Sequence, residues 1–171
     1  MADANGFPDL VRELMTVGVF TCTAETPIVD LVPHFLEKSL EEAVVMEDGN
    51  AIGVIGQVEM VRAMESADWK ALKVEDLMRE DFLVIKPDIT IIEAVKIMQE
   101  KNVRAAYLMH NAAGRIYPAG IITYNNILHL LAAKKPEDLN ALGFNAARVS
   151  PLEAFIQKRD AAKRKSQSGM R

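Results

Sequence analysis

Apolar positions along this chain fall into short runs, and the same order of runs occurs twice. Val19-Phe20-Thr21-Cys22 reads as a short strand, and Ile28, Leu31 and Phe35 then keep helical spacing. Thr26 stands as an N-cap with Pro27 at the first helical position. Pro33 inside that stripe predicts a kink or a short helix. Ala43–Met46 and Ala51–Ile55 flank Asp48-Gly49-Asn50, a strong hairpin signal. Val58–Met64 closes the set as a helix. The second set opens with Phe82-Leu83-Val84-Ile85. A helix follows, with Thr90 and Glu93 at capping-box spacing and Ile91, Val95 and Met98 on one stripe. Strands over Val103–Met109 and Ile116–Ile122 enclose a loop containing Gly114, and Asn125–Ala133 reads as the last helix. The strand runs are apolar on both faces, which predicts burial.

The repetition is sequential as well as structural. Val11-Arg12-Glu13-Leu14-Met15 aligns with Val74-Glu75-Asp76-Leu77-Met78 at an offset of 63 residues. The offset holds through Ala43–Met46 and Ala106–Met109. It becomes 67 where Gly53-Val54-Ile55 meets Gly120-Ile121-Ile122, so the second copy carries four extra residues around His110–Tyr117. Each copy is a β-α-β-β-α unit that alone leaves an apolar face uncovered, and two copies packed together cover it. The predicted class is α+β, with tandem repeats related by a pseudo-two-fold. The expected divisions are residues 1–9, an N-terminal extension; 10–68, the first repeat; 69–133, the second repeat; and 134–171, a C-terminal extension.

Composition narrows this picture. Half of the 171 residues are hydrophobic and 26% are charged, which excludes disorder over most of the length. Cys22 is the single cysteine, so no internal disulfide forms. No apolar run approaches the roughly 20 residues of a membrane span, and Met1–Pro8 lacks the pattern of a signal peptide, so a cytoplasmic protein is expected. The net charge of −4 is uneven, because Lys158 to Arg171 holds six basic residues against Asp160 alone. Ser150-Pro151 opens a further helix, with Leu152, Phe155 and Ile156 ahead of the basic run. That run is either a basic helix for an anionic surface or a solvated end. It contains no aromatic residue, so nucleic acid is not the expected partner.

Candidate chemistry is sparse. Cys22 and His34 lack a third, orienting group, and His34, His110 and His129 have no metal-ligand spacing, so neither catalytic nor metal-binding residues are expected. A ligand cleft is better supported. Gly120 ends a strand where a side chain would block close approach, and Thr123 can cap a helix or meet a ligand oxygen. The helix N-terminus favours anionic groups, and Asn126 stands on its first turn beside Thr123.

Taken in order, these residues resemble a tandem pair of cystathionine β-synthase (CBS) domains, also called a Bateman module. Leu14-Met15-Thr16 and Leu77-Met78-Arg79 open the repeats. Pro87-Asp88-Ile89-Thr90-Ile91-Ile92-Glu93-Ala94 resembles the family's first-helix start, and Gly120-Ile121-Ile122-Thr123-Tyr124-Asn125-Asn126-Ile127 resembles its Gly-x-x-Thr-x-x-Asp signature, with Asn126 in place of the aspartate.

The resemblance implies a non-catalytic sensor that binds AMP, ADP, ATP or S-adenosylmethionine between the repeats, with no required cofactor. It also implies a homodimer that acts on a regulated protein. The alternative is a ligand-free dimerisation module. Carried over by position, the main site comprises Ile85, Lys86, Pro87, Val103, Arg104, Ala105, Gly120, Ile122, Thr123 and Asn126. Arg104 reads either as a phosphate ligand or as a solvated charge. A degenerate first-copy site comprises Cys22, Thr23, Ala24, Glu42, Gly53 and Glu59, with Gly56 replacing the threonine and Glu41 beside Glu42. That site is expected to be empty, or to take an uncharged or cationic group.

Overall fold

The computed structural model describes residues 6–112 and 114–140. The helix expected from Ser150 and the basic run lie outside them. Helix α1 (Val11–Leu14) and strand β1 (Thr16–Val17) lead the chain. The first copy continues with β2 (Thr21–Thr23), α2 (Ile28–Lys38), β3 (Glu42–Glu47), β4 (Asn50–Gly56) and α3 (Gln57–Arg62). Three 3₁₀ turns, the last at Val74–Asp76, connect to α4 (Ile91–Glu100), β5 (Ala105–Ala112), β6 (Arg115–Thr123), α5 (Tyr124–Ala132) and α6 (Pro136–Asn140).

The strands form two three-stranded sheets, ordered β2-β3-β4 and β1-β6-β5. The hairpin between β3 and β4 turns on Asp48 and Gly49, whose φ angles of 48° and 80° match the mirror-image turn that suits twisted strands. Both hairpins shift register at equivalent places, Val45/Met46 and Leu108/Met109.

The copies exchange their leading segments. Strand β1 pairs with β6, with Thr16 opposite Ile121 and Val17 opposite Gly120, so the start of the first copy completes the sheet of the second. Reciprocally, the Arg79 backbone exchanges two 2.8 Å hydrogen bonds with Val54 on β4. The repeat offsets map Thr16–Ile121 onto Arg79–Val54, so the two crossings are equivalent. The cores follow the same exchange. Val11 and Leu14 are wholly buried with Ile91, Ala94, Met98 and Ile122, and Val74 is buried with Ile28, Leu31, Phe35 and Ile55. A third cluster, Val44, Val54, Ala105, Tyr107 and Ile121, packs the two sheets together.

Gly53 and Gly120 permit the crossings. A Cβ on Gly53 would lie 2.6 Å from the Arg79 carbonyl oxygen, and one on Gly120 would lie 3.0 Å from that of Thr16. The close approach expected at Gly120 is therefore made by the chain's own backbone.

Local expectations differ from the structure at four points. Pro33 lies inside α2 without shortening it. It forfeits a hydrogen bond to the Val29 carbonyl, and Val29 and Pro33 both lie on the exposed face, where water can serve that oxygen. Pro27, not Thr26, is the cap residue of α2, because the Thr26 hydroxyl is turned back to accept the Thr23 N–H at 3.2 Å. The stretch Phe82–Ile85 reduces to a single parallel bridge, Val84 to Tyr107, equivalent to Thr21–Val44 in β2. The outer ends of β5 and β6 are exposed, because the four-residue insertion carries that hairpin past the core.

Candidate functional site

The leading segments cross the opposite copies at two equivalent places. At one, β6 ends at Thr123, which caps α5. The Thr123 hydroxyl accepts the Asn126 N–H at 3.4 Å, and Asn126 Oδ1 accepts the Thr123 N–H at 2.7 Å. The single hydroxyl proton faces two acceptors, Asn126 Oδ1 at 3.1 Å and the Glu41 carboxylate. Asn126 Nδ2 donates to Thr16 Oγ1 at 3.1 Å, which ties the α5 N-terminus to the crossing strand. Thr123 and Asn126 are 9% and 4% exposed.

These two residues form part of the lining of a cleft of about 220 Å³. The first copy supplies Thr16, Gly18–Phe20 and Lys38–Glu42, and the second supplies Ile121, Thr123, Asn125 and Asn126. Its charged lining residues are Lys38, Glu41 and Glu42. Burial raises the Glu41 carboxyl above its ordinary range and neighbouring Glu42 adds to the rise, while a hydrogen bond with Thr123 and the charge of Arg104 oppose it. Burial raises Glu42 likewise, against the pull of Tyr107 and Arg79.

The equivalent place at the other crossing holds a charged cluster. Glu59 stands where Asn126 stands, and its Oε2 accepts the Gly56 N–H at 2.9 Å. Arg79 stands where Thr16 stands. Its Nε lies 2.9 Å from Glu59 Oε1, its Nη2 2.7 Å from Glu42 Oε1, and its Nη1 3.4 Å from the Asp81 carbonyl. Glu42 Oε2 accepts the Tyr107 hydroxyl at 2.6 Å. Burial and the Glu42 charge raise the Tyr107 phenol far above its ordinary value, so it remains a donor. Glu42 thus belongs to both clefts.

The sequence-based grouping is only partly brought together. Thr123 and Asn126 line the open cleft, in company with Glu41 and Glu42 from the first copy. Ile122 is wholly buried in the core beside α1, and Ile85 joins it there. Lys86 and Pro87 are exposed, and the Pro87 carbonyl accepts the Arg12 N–H of α1. Val103 packs on that core, Ala105 lies in the inter-sheet cluster, and exposed Arg104 gives its carbonyl to the Tyr124 N–H. None of these residues lines the open cleft. Of the first-copy set, Glu42, Gly53 and Glu59 meet Arg79, whereas Thr23 and Ala24 line a hollow of about 280 Å³ near the first hairpin turn. Burial pushes the neighbouring Cys22 thiol up to about 11, which keeps it protonated at neutral pH.

Sequence reasoning missed Thr16, Phe20 and Arg79 as cleft residues. The signal was present in the offset, since Thr16 and Arg79 end the two matched leading motifs. Grouping by copy hid it, because the chain crosses between copies before each site is completed.

Among the described residues no helix is long and apolar enough to cross a membrane. The CBS domain profile matches residues 11–66 and 74–133. An uncharacterized protein of Methanocaldococcus jannaschii, MJ1232, is 28% identical over 76% of the chain, and the chain spans 40% of that protein's length. The CBS-domain protein ATU1752 of Agrobacterium tumefaciens superposes with a TM-score of 0.65 at 20% identity, over 74% of this chain and 96% of that one. The CBS domain pair of protein MJ0100, solved in complex with 5′-methylthioadenosine and S-adenosyl-L-methionine, superposes with a TM-score of 0.64 at 18% identity. That match covers 75% of this chain and all of the other. With its duplicated units, its exchanged leading segments and a CBS match over both repeats, the chain belongs to the CBS domain family.

Proposed function

We propose that this CBS pair is a non-catalytic regulatory module that binds an adenosine-containing ligand in the cleft of Thr123 and Asn126. One observation carries the reading: an open hollow at the capped start of a nine-residue helix is walled by both copies. A ligand seated there touches both halves at once and favours the arrangement it fits, which alters the surface shown to a partner protein. The complexed MJ0100 pair supports the adenosine class. Glu41 narrows it, because a carboxylate on the wall, beside a Glu42 whose charge is held by Arg79, disfavours a phosphate next to it and favours a ligand that is uncharged or cationic beyond the ribose. S-adenosylmethionine and 5′-methylthioadenosine satisfy this better than AMP, ADP or ATP.

The partner surface we assign is a second copy of this chain, in the cytoplasm. Val58, Val61 and Met64 on and after α3, and Leu128 and Leu131 on α5, are exposed at equivalent places on the two closing helices. Val61→Glu with Leu128→Glu is expected to convert a dimer to a monomer in sedimentation equilibrium.

A second reading is a dimerisation module without ligand. The hydrogen bonding of Asn126 favours it, since its oxygen accepts the Thr123 N–H and its Nδ2 is given to Thr16 within the chain. Thermal melts separate the two. 5′-Methylthioadenosine at a hundred times its dissociation constant adds about 2.7 kcal/mol to a folded chain that binds it. A midpoint unmoved by millimolar 5′-methylthioadenosine, S-adenosylmethionine, AMP and ATP would leave only the second reading.

A further inference from the structure

We propose that Arg79 is a tethered occupant of the second cleft, so that the pair offers one adenosine site where its symmetry provides for two. The inference rests on the adenosine reading of the clefts and adds their number and the reason for it. Thr16 and Arg79 close equivalent strand crossings, opposite Ile121 and Val54. Each is met by the residue three positions into the neighbouring closing helix, Asn126 or Glu59. At the first crossing the partners are short and neutral, and a hollow remains beside them. At the second a guanidinium extends from the crossing strand and bridges two carboxylates, Glu59 on its own sheet's helix and Glu42 on β3.

Glu59 is 5% exposed and gives one oxygen to the Gly56 N–H and the other to Arg79, so a ribose reaching its carboxylate would have to compete with the tethered guanidinium. The Arg79 backbone is fixed on both sides by its bonds to Val54, so the side chain cannot leave with a shift of the loop alone. A planar cation held by two carboxylates is the arrangement that guanidinium geometry favours. The cleft is thus filled by the group its own acids would otherwise select from solution.

Removing the occupant tests this. Arg79→Thr installs the residue found at position 16 and frees Glu59. Arg79→Thr with Glu59→Asn reproduces the Thr16–Asn126 pair and serves if the single variant does not fold. The readout is the number of 5′-methylthioadenosine equivalents bound per full-length chain at saturation in equilibrium dialysis. One additional equivalent in a folded variant is expected, from one to two. A variant that binds one, as the wild type does, overturns the tethered occupant and leaves the Thr123 site standing. A wild type that binds none beside a variant that binds one sinks the Thr123 site and keeps only Arg79 as the occupant of the other. None in either sinks both.

A second measurement needs no nucleoside. Methylguanidinium at millimolar concentration is expected to raise the melting midpoint of Arg79→Ala and not that of the wild type. The same shift in both proteins, or none in the variant, overturns the proposal.

Discussion

The two clefts share one backbone plan and differ at a few matched positions. Thr16 meets Asn126 in one, and Arg79 meets Glu59 in the other. Each pair is satisfied internally, neutral with neutral and charge with charge. Exchanging one member alone would bury a carboxylate without its cation, or a guanidinium without its carboxylate, which costs more than either intact pair contributes. The pairs are therefore constrained as units, although their members lie on different copies. The comparison also separates two uses of one design. A threonine at the crossing leaves room for a guest, and an arginine fills that room and adds a lock between the copies.

The sharpest test of this contrast is to truncate each crossing residue. Arg79→Ala strands Glu59 and one oxygen of Glu42. The expected loss is on the order of 3 kcal/mol, at the low end for a buried pair because the guanidinium is 31% exposed. Thr16→Ala removes one hydrogen bond between neutral groups and is expected to cost about 1 kcal/mol. Urea unfolding of both variants checks the difference. Equal losses would mean that the charged cluster contributes no more than a surface pair and that the two crossings are energetically alike.

The glycines under the crossings give the next largest effect. At Gly53 an added Cβ meets a backbone carbonyl at 2.6 Å, which cannot move without breaking the paired bonds of Arg79 and Val54. At Gly120 the backbone carbonyl of Thr16 stands farther off, at 3.0 Å, and the nearer atom, the Met15 sulfur at 2.9 Å, belongs to a flexible side chain that can yield. Gly53→Ala is expected to cost about 2–3 kcal/mol and Gly120→Ala about 1 kcal/mol, within the range for overpacking. The reverse order in urea midpoints would contradict the crossing geometry.

Much of this was legible in the sequence, and the boundary of what was legible is physical. The duplicated order of elements, the turn at Asp48-Gly49 and the caps at Thr90 and Thr123 are local, set by periodicity and by side chains three residues apart. The exchange of leading segments is not local. Val11 and Leu14 carry an apolar pattern that fits either half, and nothing within α1 or β1 says which sheet receives them. The pairing of Arg79 with Glu59 and Glu42 follows from that exchange, so the residues of either copy alone do not show it. At Gly120 the close approach is made by the Met15 sulfur and the Thr16 carbonyl, because a glycine reports that something approaches closely and not what it is.

Caps distinguish the clefts more gently. Thr123 caps α5 with its hydroxyl, whereas α3 begins at Gly56, where only Glu59 reaches back. Thr123→Ala is expected to cost about 1 kcal/mol through the lost cap. It also removes the hydroxyl that faces the open cleft, so the thermal shift given by 5′-methylthioadenosine is expected to shrink with it. Gly56→Ala takes no cap away, and melts of the two variants with and without that nucleoside compare them directly. A Thr123→Ala protein that keeps the whole ligand shift would place the nucleoside elsewhere.

The smallest expected effect is a pH dependence in the open cleft. Burial and the neighbouring Glu42 raise the Glu41 carboxyl on folding, and the Thr123 hydroxyl and Arg104 only partly offset them. For an acid whose folded value is raised, folding favours the protonated form. Its contribution to stability is complete below the unfolded carboxylate range, near pH 4, and fades as pH rises through the folded value. Glu41→Gln keeps the shape and an acceptor for Thr123 but cannot ionise. The variant is therefore expected to match the wild type near pH 4 and to exceed it in stability at pH 7, with a flatter profile between. Urea midpoints at half-unit steps of pH read this difference. A variant less stable than the wild type at pH 7 would show that the Glu41 charge is held by Arg104 strongly enough to outweigh its burial, and the acidic wall would then present less negative charge to a ligand than the two carboxylates suggest.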